Sequence, residues 1–280
     1  MVLTSHLFPI LDDHLMRLLR SLTPEQWNAP TLAKRWTVKD VAAHLLDGNI
    51  RTLSIQRDRY FGVRPAADIS SYQGLVAWLN TLNHEWVTAA QRISPDVLIL
   101  LHEATGPMTS AYYASLPLHE KAIFSVDWAG ESESVNWMHL AREYTEKWHH
   151  QQQIRYAVAQ TAPLMTRELF YPMIDTFMRA LPYTYSRADT SLDAPLGTMI
   201  RVSVSSEIGG DWCVAKRDAG WVLSETSEEV PCNATVIIPP DTAWMLFTKG
   251  ISAEAARRST LITGDERLAT PVFAMVAVMA

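Results

Sequence analysis

The spacing of apolar residues changes once along this chain, near Pro182, and that change constrains the fold more than any other feature. Before it, apolar side chains recur with the period of amphipathic helices. After it, Ile200, Val202 and Val204 alternate with polar neighbours, the period of a half-buried strand. A chain written this way folds as an α region followed by a smaller α+β region. The helical part reads as Leu11 to Leu22, closed by Thr23-Pro24, then a helix opening at Thr37-Val38-Lys39-Asp40 and running to about Tyr60. Thr37 is its N-cap and Asp40 stands at N3, close to a capping box. Further helices are expected over Tyr72 to Ile93, Asn136 to Gln160 and Thr166 to Leu181, the last stopping at Pro182. Leu98 to Gly130 reads as a short helix and a long loop.

In the second part, strands are expected around Ile200 to Val204, over Asp211 to Arg217, Trp221 to Glu225, Thr235 to Ile238 and Leu261 to Thr263. Pro239-Pro240-Asp241 opens a short helix to Lys249, and Glu266 to Ala280 reads as a closing helix with Pro271 near its start. The Ser, Thr, Asp and Pro-rich stretch Tyr183 to Leu196 is the natural boundary, dividing the chain into 1–182 and 183–280.

Composition narrows the function classes. Lys and Arg number 24 against 30 Asp and Glu, a net charge of −6, so no basic footprint for nucleic acid is expected. No apolar run reaches membrane-spanning length, and the first residues lack the pattern of a secretory signal, so a cytoplasmic protein is expected. Two cysteines cannot make a disulfide framework. Cys213 and Cys232 lack partners at zinc spacing and read as buried small hydrophobes. H-E-x-x-H, G-x-S-x-G, P-loop and G-x-G-x-x-G motifs are all missing.

All nine histidines fall within the first 150 residues, so any imidazole chemistry belongs to the helical part. On the helix opening at Asn136, Glu146 and His150 are four residues apart and share a face with Gln153. A carboxylate and an imidazole so placed can supply two metal ligands from one rigid helix. A third must come from elsewhere, and His44, within the apolar run Val41 to Leu46, is the candidate. Spacing alone leaves other readings open. His44 also reads as a hydrogen-bonded core histidine, and Glu146/His150 as a solvated ion pair. His149 competes with His150 for Glu146, and the opposite stripe of Trp137, Tyr144 and Trp148 reads as helix packing. Gly48, one turn after His44, either leaves room for a ligand or lets helices approach. Arg51 and His139 are weaker pocket candidates: an arginine for a substrate carboxylate or an ordinary surface arginine, and a histidine two turns before Glu146.

The segment Leu22-Thr-Pro-Glu-Gln-Trp-Asn-Ala-Pro-Thr31, followed by Trp36-Thr-Val-Lys-Asp-Val-Ala-Ala-His-Leu45, resembles the start of the DinB-like four-helix bundle of mycothiol-dependent maleylpyruvate isomerases. In that family the histidine matching His44 and an E-x-x-x-H pair matching Glu146 and His150 are metal ligands, which favours His150 over His149. The ending, with Thr263-Gly-Asp265 before the last helix, resembles the sterol-carrier-protein-like domain that follows the bundle. Gln153 departs from the acidic residue that many members carry. The resemblance implies a divalent metal, zinc before nickel or manganese, and a low-molecular-weight thiol such as mycothiol. The implied chemistry is thiol addition with isomerisation of an electrophilic substrate, or thiol transfer to one. A metal-dependent hydrolase of the same fold and a non-catalytic binder of apolar ligands are the competing readings. The expected partners are small molecules, with no nucleic acid or membrane, in a monomer or homodimer.

Overall fold

The computed structural model describes residues 1–65, 71–224 and 231–278. Its helical part holds α1 (Phe8–Ser21), α2 (Pro24–Trp27), α3 (Val38–Arg51), α4 (Tyr72–Ala90), α5 (Pro95–Ser115), α6 (Asn136–Ala157), α7 (Arg167–Met178) and α8 (Leu181–Leu192). Helices α1, α3, α5 and α6 pack as a four-helix bundle, with α4 against α3. Local chemistry fixes where several helices begin. The Thr23 hydroxyl accepts the Gln26 N–H and the Thr37 hydroxyl that of Asp40, and in both turns the side chain at N3 returns the bond, completing a capping box. Ser94 caps α5 and Thr166 caps α7 in the simpler way.

Four expectations are corrected. The helix expected within Leu98 to Gly130 is not short: α5 runs unbroken for 21 residues from Pro95, carrying Pro107 in its interior, while the long loop follows it as expected, from Leu116 on. A side chain on Gly106 would meet Asp12 at 3.2 Å, so this glycine lets α1 lie close to α5. The helix begun at Thr37 ends at Arg51 and widens into a π-helical turn, Thr52–Arg57, short of Tyr60. Pro182 does not stop a helix but stands in the first turn of α8, where its missing N–H costs nothing, so the expected linker is largely helical. The closing helix shrinks to α11 (Glu266–Ala269) and a 3₁₀ turn, Thr270–Ala274, because Pro271 starts that turn and Met275 is extended. Glu225 and residues 279–280 lie outside the described residues.

Strands β1 (Met199–Val204), β2 (Gly210–Arg217), β3 (Gly220–Ser224), β4 (Ala234–Ile238) and β5 (Leu261–Gly264) form one sheet in the order β3-β2-β1-β4-β5. β1 and β4 are parallel, joined by a crossover, and the other neighbours are antiparallel. Helices α9 (Pro240–Phe247) and α10 (Ala253–Arg258) lie between β4 and β5. The second of these was not expected. Ile200, Val202, Val204, Val214 and Val236 point into a core that also holds Trp244 and Phe247 of α9. That core continues into the bundle through Tyr144, Trp148, Phe170 and Phe177, whereas α1, α3 and α5 share a second apolar cluster around Leu18, Val41 and Leu98. No helix among the described residues is long and apolar enough to cross a membrane.

Candidate metal centre

Helix α6 is buried on two sides, and this settles how its two stripes are used. Tyr144 and Trp148 are fully buried in the main core, so the aromatic stripe is packing. The Glu146/His150 face turns toward α3, with the Glu146 side chain 30% and the His150 side chain 12% exposed. There His44, Glu146 and His150 each offer a ligand atom, all within 4.8 Å of one another. The His44 and His150 rings meet edge to face at 4.5 Å, and Trp36, at the foot of α3, packs on His44 at 4.9 Å. Sequence reasoning passed over Trp36, although its place just before the Thr37 cap sets it beside the first turns of α3.

Hydrogen bonds decide which atoms face the centre. Gln153, buried, accepts from His150 Nδ1 at 2.9 Å, which leaves the His150 Nε2 lone pair pointing inward. Nε2 faces Glu146 Oε2 at 3.5 Å. Two acceptors placed so need a positive species between them, either a proton on the ring or a metal ion. Two further buried polar atoms, His44 Nδ1 and Glu146 Oε1, have no hydrogen-bond partner among the described residues. A divalent ion fits this donor set of two imidazoles and one carboxylate. Electrostatics agree. Burial, with the charges of His150 and Arg51, depresses His44 well below the ordinary histidine value and keeps its ring neutral. Burial opposes ionisation of Glu146, but when the proton, and not a metal ion, sits on His150 Nε2, its hydrogen bond and the surrounding histidines outweigh burial and hold the carboxyl down at about 2. The residues present a neutral imidazole and a carboxylate anion, the forms that bind metals.

The rival His149 is not part of this group among the described residues. Its Nδ1 donates to the Thr145 carbonyl at 2.8 Å, and burial first, then His150, lowers it to about 3. It stacks on His150 at 3.9 Å and supports that ring from behind.

Gly48 lies one turn after His44 on α3. A Cβ built there meets nothing within 4 Å, so the glycine leaves space on the His44 face and brings no helix closer. Arg51, one turn further, is held by Asp47 at 2.9 Å and by Asn83 Oδ1 at 3.3 Å. His139 is fully buried with both ring nitrogens engaged: Nδ1 accepts from Arg142 at 2.8 Å, so Nε2 donates to Gln56 Oε1, also at 2.8 Å. Glu143 joins this network, paired with Arg142 and accepting from the Tyr113 hydroxyl, which in turn meets Thr52. Arg142, Glu143 and Gln56 were not singled out from sequence. The signal was available, since 139, 142, 143 and 146 follow one another at helical spacing along one face.

A four-helix bundle in which two helices bring two histidines and a glutamate to one point defines the class: a helical protein with a three-residue candidate metal centre. Residues 8–155, more than half of the chain, match the family model of the mycothiol maleylpyruvate isomerase N-terminal domain, and the chain belongs to that family. All three triad residues lie in the matched stretch. Among solved structures, a histidine-to-alanine mutant of the mycothiol-dependent maleylpyruvate isomerase is similar over 92% of this chain and 91% of that chain, with a TM-score of 0.52 and 10% identity. A second structure of the mycothiol-dependent maleylpyruvate isomerase covers 86% of each chain with a TM-score of 0.49 and 11% identity. At such identity the first likeness is one of fold, and it extends past the bundle into the C-terminal sheet. No curated protein matches.

Proposed function

We propose that this protein is a divalent-metal-dependent enzyme that uses a low-molecular-weight thiol, either to isomerise an unsaturated electrophile by adding and leaving, or to transfer the thiol to an electrophile. The convergence of His44, Glu146 and His150, with two buried polar atoms that have no hydrogen-bond partner among the described residues, carries the reading. A divalent ion held there, zinc before nickel or manganese, supplies the positive charge that favours a thiolate near neutral pH.

The protein's own residues divide the remaining work. Gln153 holds His150 in the tautomer that turns Nε2 inward. Trp36 covers the His44 ring and keeps water from that side. Gly48 leaves room beside the triad for the thiol and the electrophile. Arg51 sets a positive charge near His44, fixed in place by Asp47 and Asn83. A thiol bound at a metal held there would give up its proton, so its affinity would rise with pH toward its ordinary pKa of about 8.5. The partners are therefore small molecules: a thiol such as mycothiol, and an electrophile.

Cobalt substitution tests the reading. Sulfur ligation produces an intense near-ultraviolet charge-transfer band when a small thiol is added, and that band is the expected result. Absence of the band with every physiological thiol, together with turnover of esters or amides, would replace this reading with a hydrolase of the same fold.

A further inference from the structure

The two cysteines, separated by eighteen intervening residues, come together on the face of the sheet turned away from the core. Cys213 lies on β2 with its side chain opposite that of Val214, which points into the core. Cys232 lies two residues before β4, and its neighbour Asn233 is tied to Met199 by two hydrogen bonds, of 2.8 and 2.9 Å. Met199 is paired across β1 and β2 with Ala215, the next residue after Cys213 on the same face. Met199, Cys213 and Ala215 form a small apolar cluster against which Cys232 packs, and the two thiols are hydrogen-bonded to each other. Arg201, the cross-strand partner of Cys213, also bonds to its sulfur.

We propose that Cys213 and Cys232 form a dithiol site, separate from the metal centre, that reduces a small disulfide and closes to an intramolecular disulfide. Exposure assigns the order of events. Cys232 is half-buried and can be reached, whereas Cys213 is 1% exposed and cannot meet an external reagent. The Cys232 sulfur, as thiolate, attacks one sulfur of the disulfide RSSR. That S–S bond breaks, and RS⁻ leaves and takes up the proton that Cys232 gave. Cys213, as thiolate, then attacks the Cys232 sulfur of the mixed disulfide and displaces the second RS⁻, which is protonated in turn. Two protein thiols are oxidised and one RSSR is reduced to two RSH. Burial pushes the Cys213 thiol up, and the Arg201 contact opposes this by favouring the thiolate. Contact between the sulfurs makes the second step intramolecular, which compensates for a small thiolate fraction.

Glutathione disulfide at mildly alkaline pH is the probe, applied to the folded full-length protein, which is then alkylated under denaturing conditions and weighed intact. The expected product is lighter by two hydrogens, with a Cys213–Cys232 cross-link in its peptide map. Cys213→Ser should stop at a mixed disulfide on Cys232, and Cys232→Ser should not react. Wild-type protein that keeps both thiols, or that retains one glutathione without closing, would overturn the proposal. Should either variant fail to fold, the wild-type mass and peptide map decide alone.

Discussion

Gln153 is the residue on which the orientation of the centre turns. It accepts from the far nitrogen of His150, and that bond decides which lone pair faces inward. Gln153→Ala should weaken metal affinity by about 10–100-fold while leaving the helix content unchanged, read by competition with a chelator; unchanged affinity would show that the ring is held by packing alone. Gly48 offers a test with two opposite signs. Because a Cβ there meets nothing within 4 Å, Gly48→Ala should gain about 1 kcal/mol of helix stability and a higher Tm. Gly48→Leu should keep the metal but lose turnover, since it fills the space beside the triad. At this scale the sequence was half legible. Spacing put Glu146 and His150 on one face, but left His149 equally placed, because an (i, i+3) neighbour is as close on a helix as an (i, i+4) one. His149 falls outside the group of ligand atoms that lie within 4.8 Å of one another, and that is a matter of rotamer and not of spacing.

Among the elements, α5 and α6 each bury a histidine that must stay neutral. Burial lowers His102 on α5 and His139 on α6 to about 4; the Ala42 carbonyl pulls His102 the other way, and Arg142 adds to the effect on His139. In the unfolded chain both titrate near the ordinary 6.5, so between about 6.5 and 4 the unfolded state binds more protons. Stability is therefore full above the upper value and falls through this window by up to about 3 kcal/mol for each histidine. Denaturant melts of the metal-free protein should show that loss, and His102→Gln, which keeps a donor for the Ala42 carbonyl, should flatten part of it. A melt flat across the window would mean that these rings are hydrated. Legibility at this scale followed local chemistry. Thr37 and Asp40 announced α3 because a capping box is made within one turn. α5 was hidden because Gly106-Pro107 in its middle reads as a break, whereas tertiary packing against α1 and α3 carries the helix through.

Over the whole molecule, one core joins bundle and sheet. Trp148 of α6 meets Trp244 of α9 edge to face at 6.0 Å, and Phe177 meets Phe247 at 6.4 Å. Trp244→Ala should cost about 3–5 kcal/mol and lower the single unfolding transition of the whole chain. Two separate transitions, with only the later one moved, would show that the two parts unfold independently. A fragment ending at residue 182 keeps all three ligands but exposes Trp148 and Phe177, so it should bind metal with a lower melting temperature than the full chain. The alternation of Ile200, Val202 and Val204 was plain in the sequence, although α8 carries the helical part past Pro182 to Leu192; the contact of Trp148 with Trp244 was not, since nothing local in either residue encodes a partner almost a hundred positions away.

The central claim is that His44, Glu146 and His150 together hold one divalent ion, and metal stoichiometry tests it most directly. Purified full-length protein, loaded with zinc and freed of excess, should carry about one ion per chain by elemental analysis, as three protein ligands from two rigid helices can hold one. His44→Ala and His150→Ala should each lose most of it while keeping the helical circular dichroism of the parent. Full occupancy in both variants would contradict the account, because the ion would then be held by other residues.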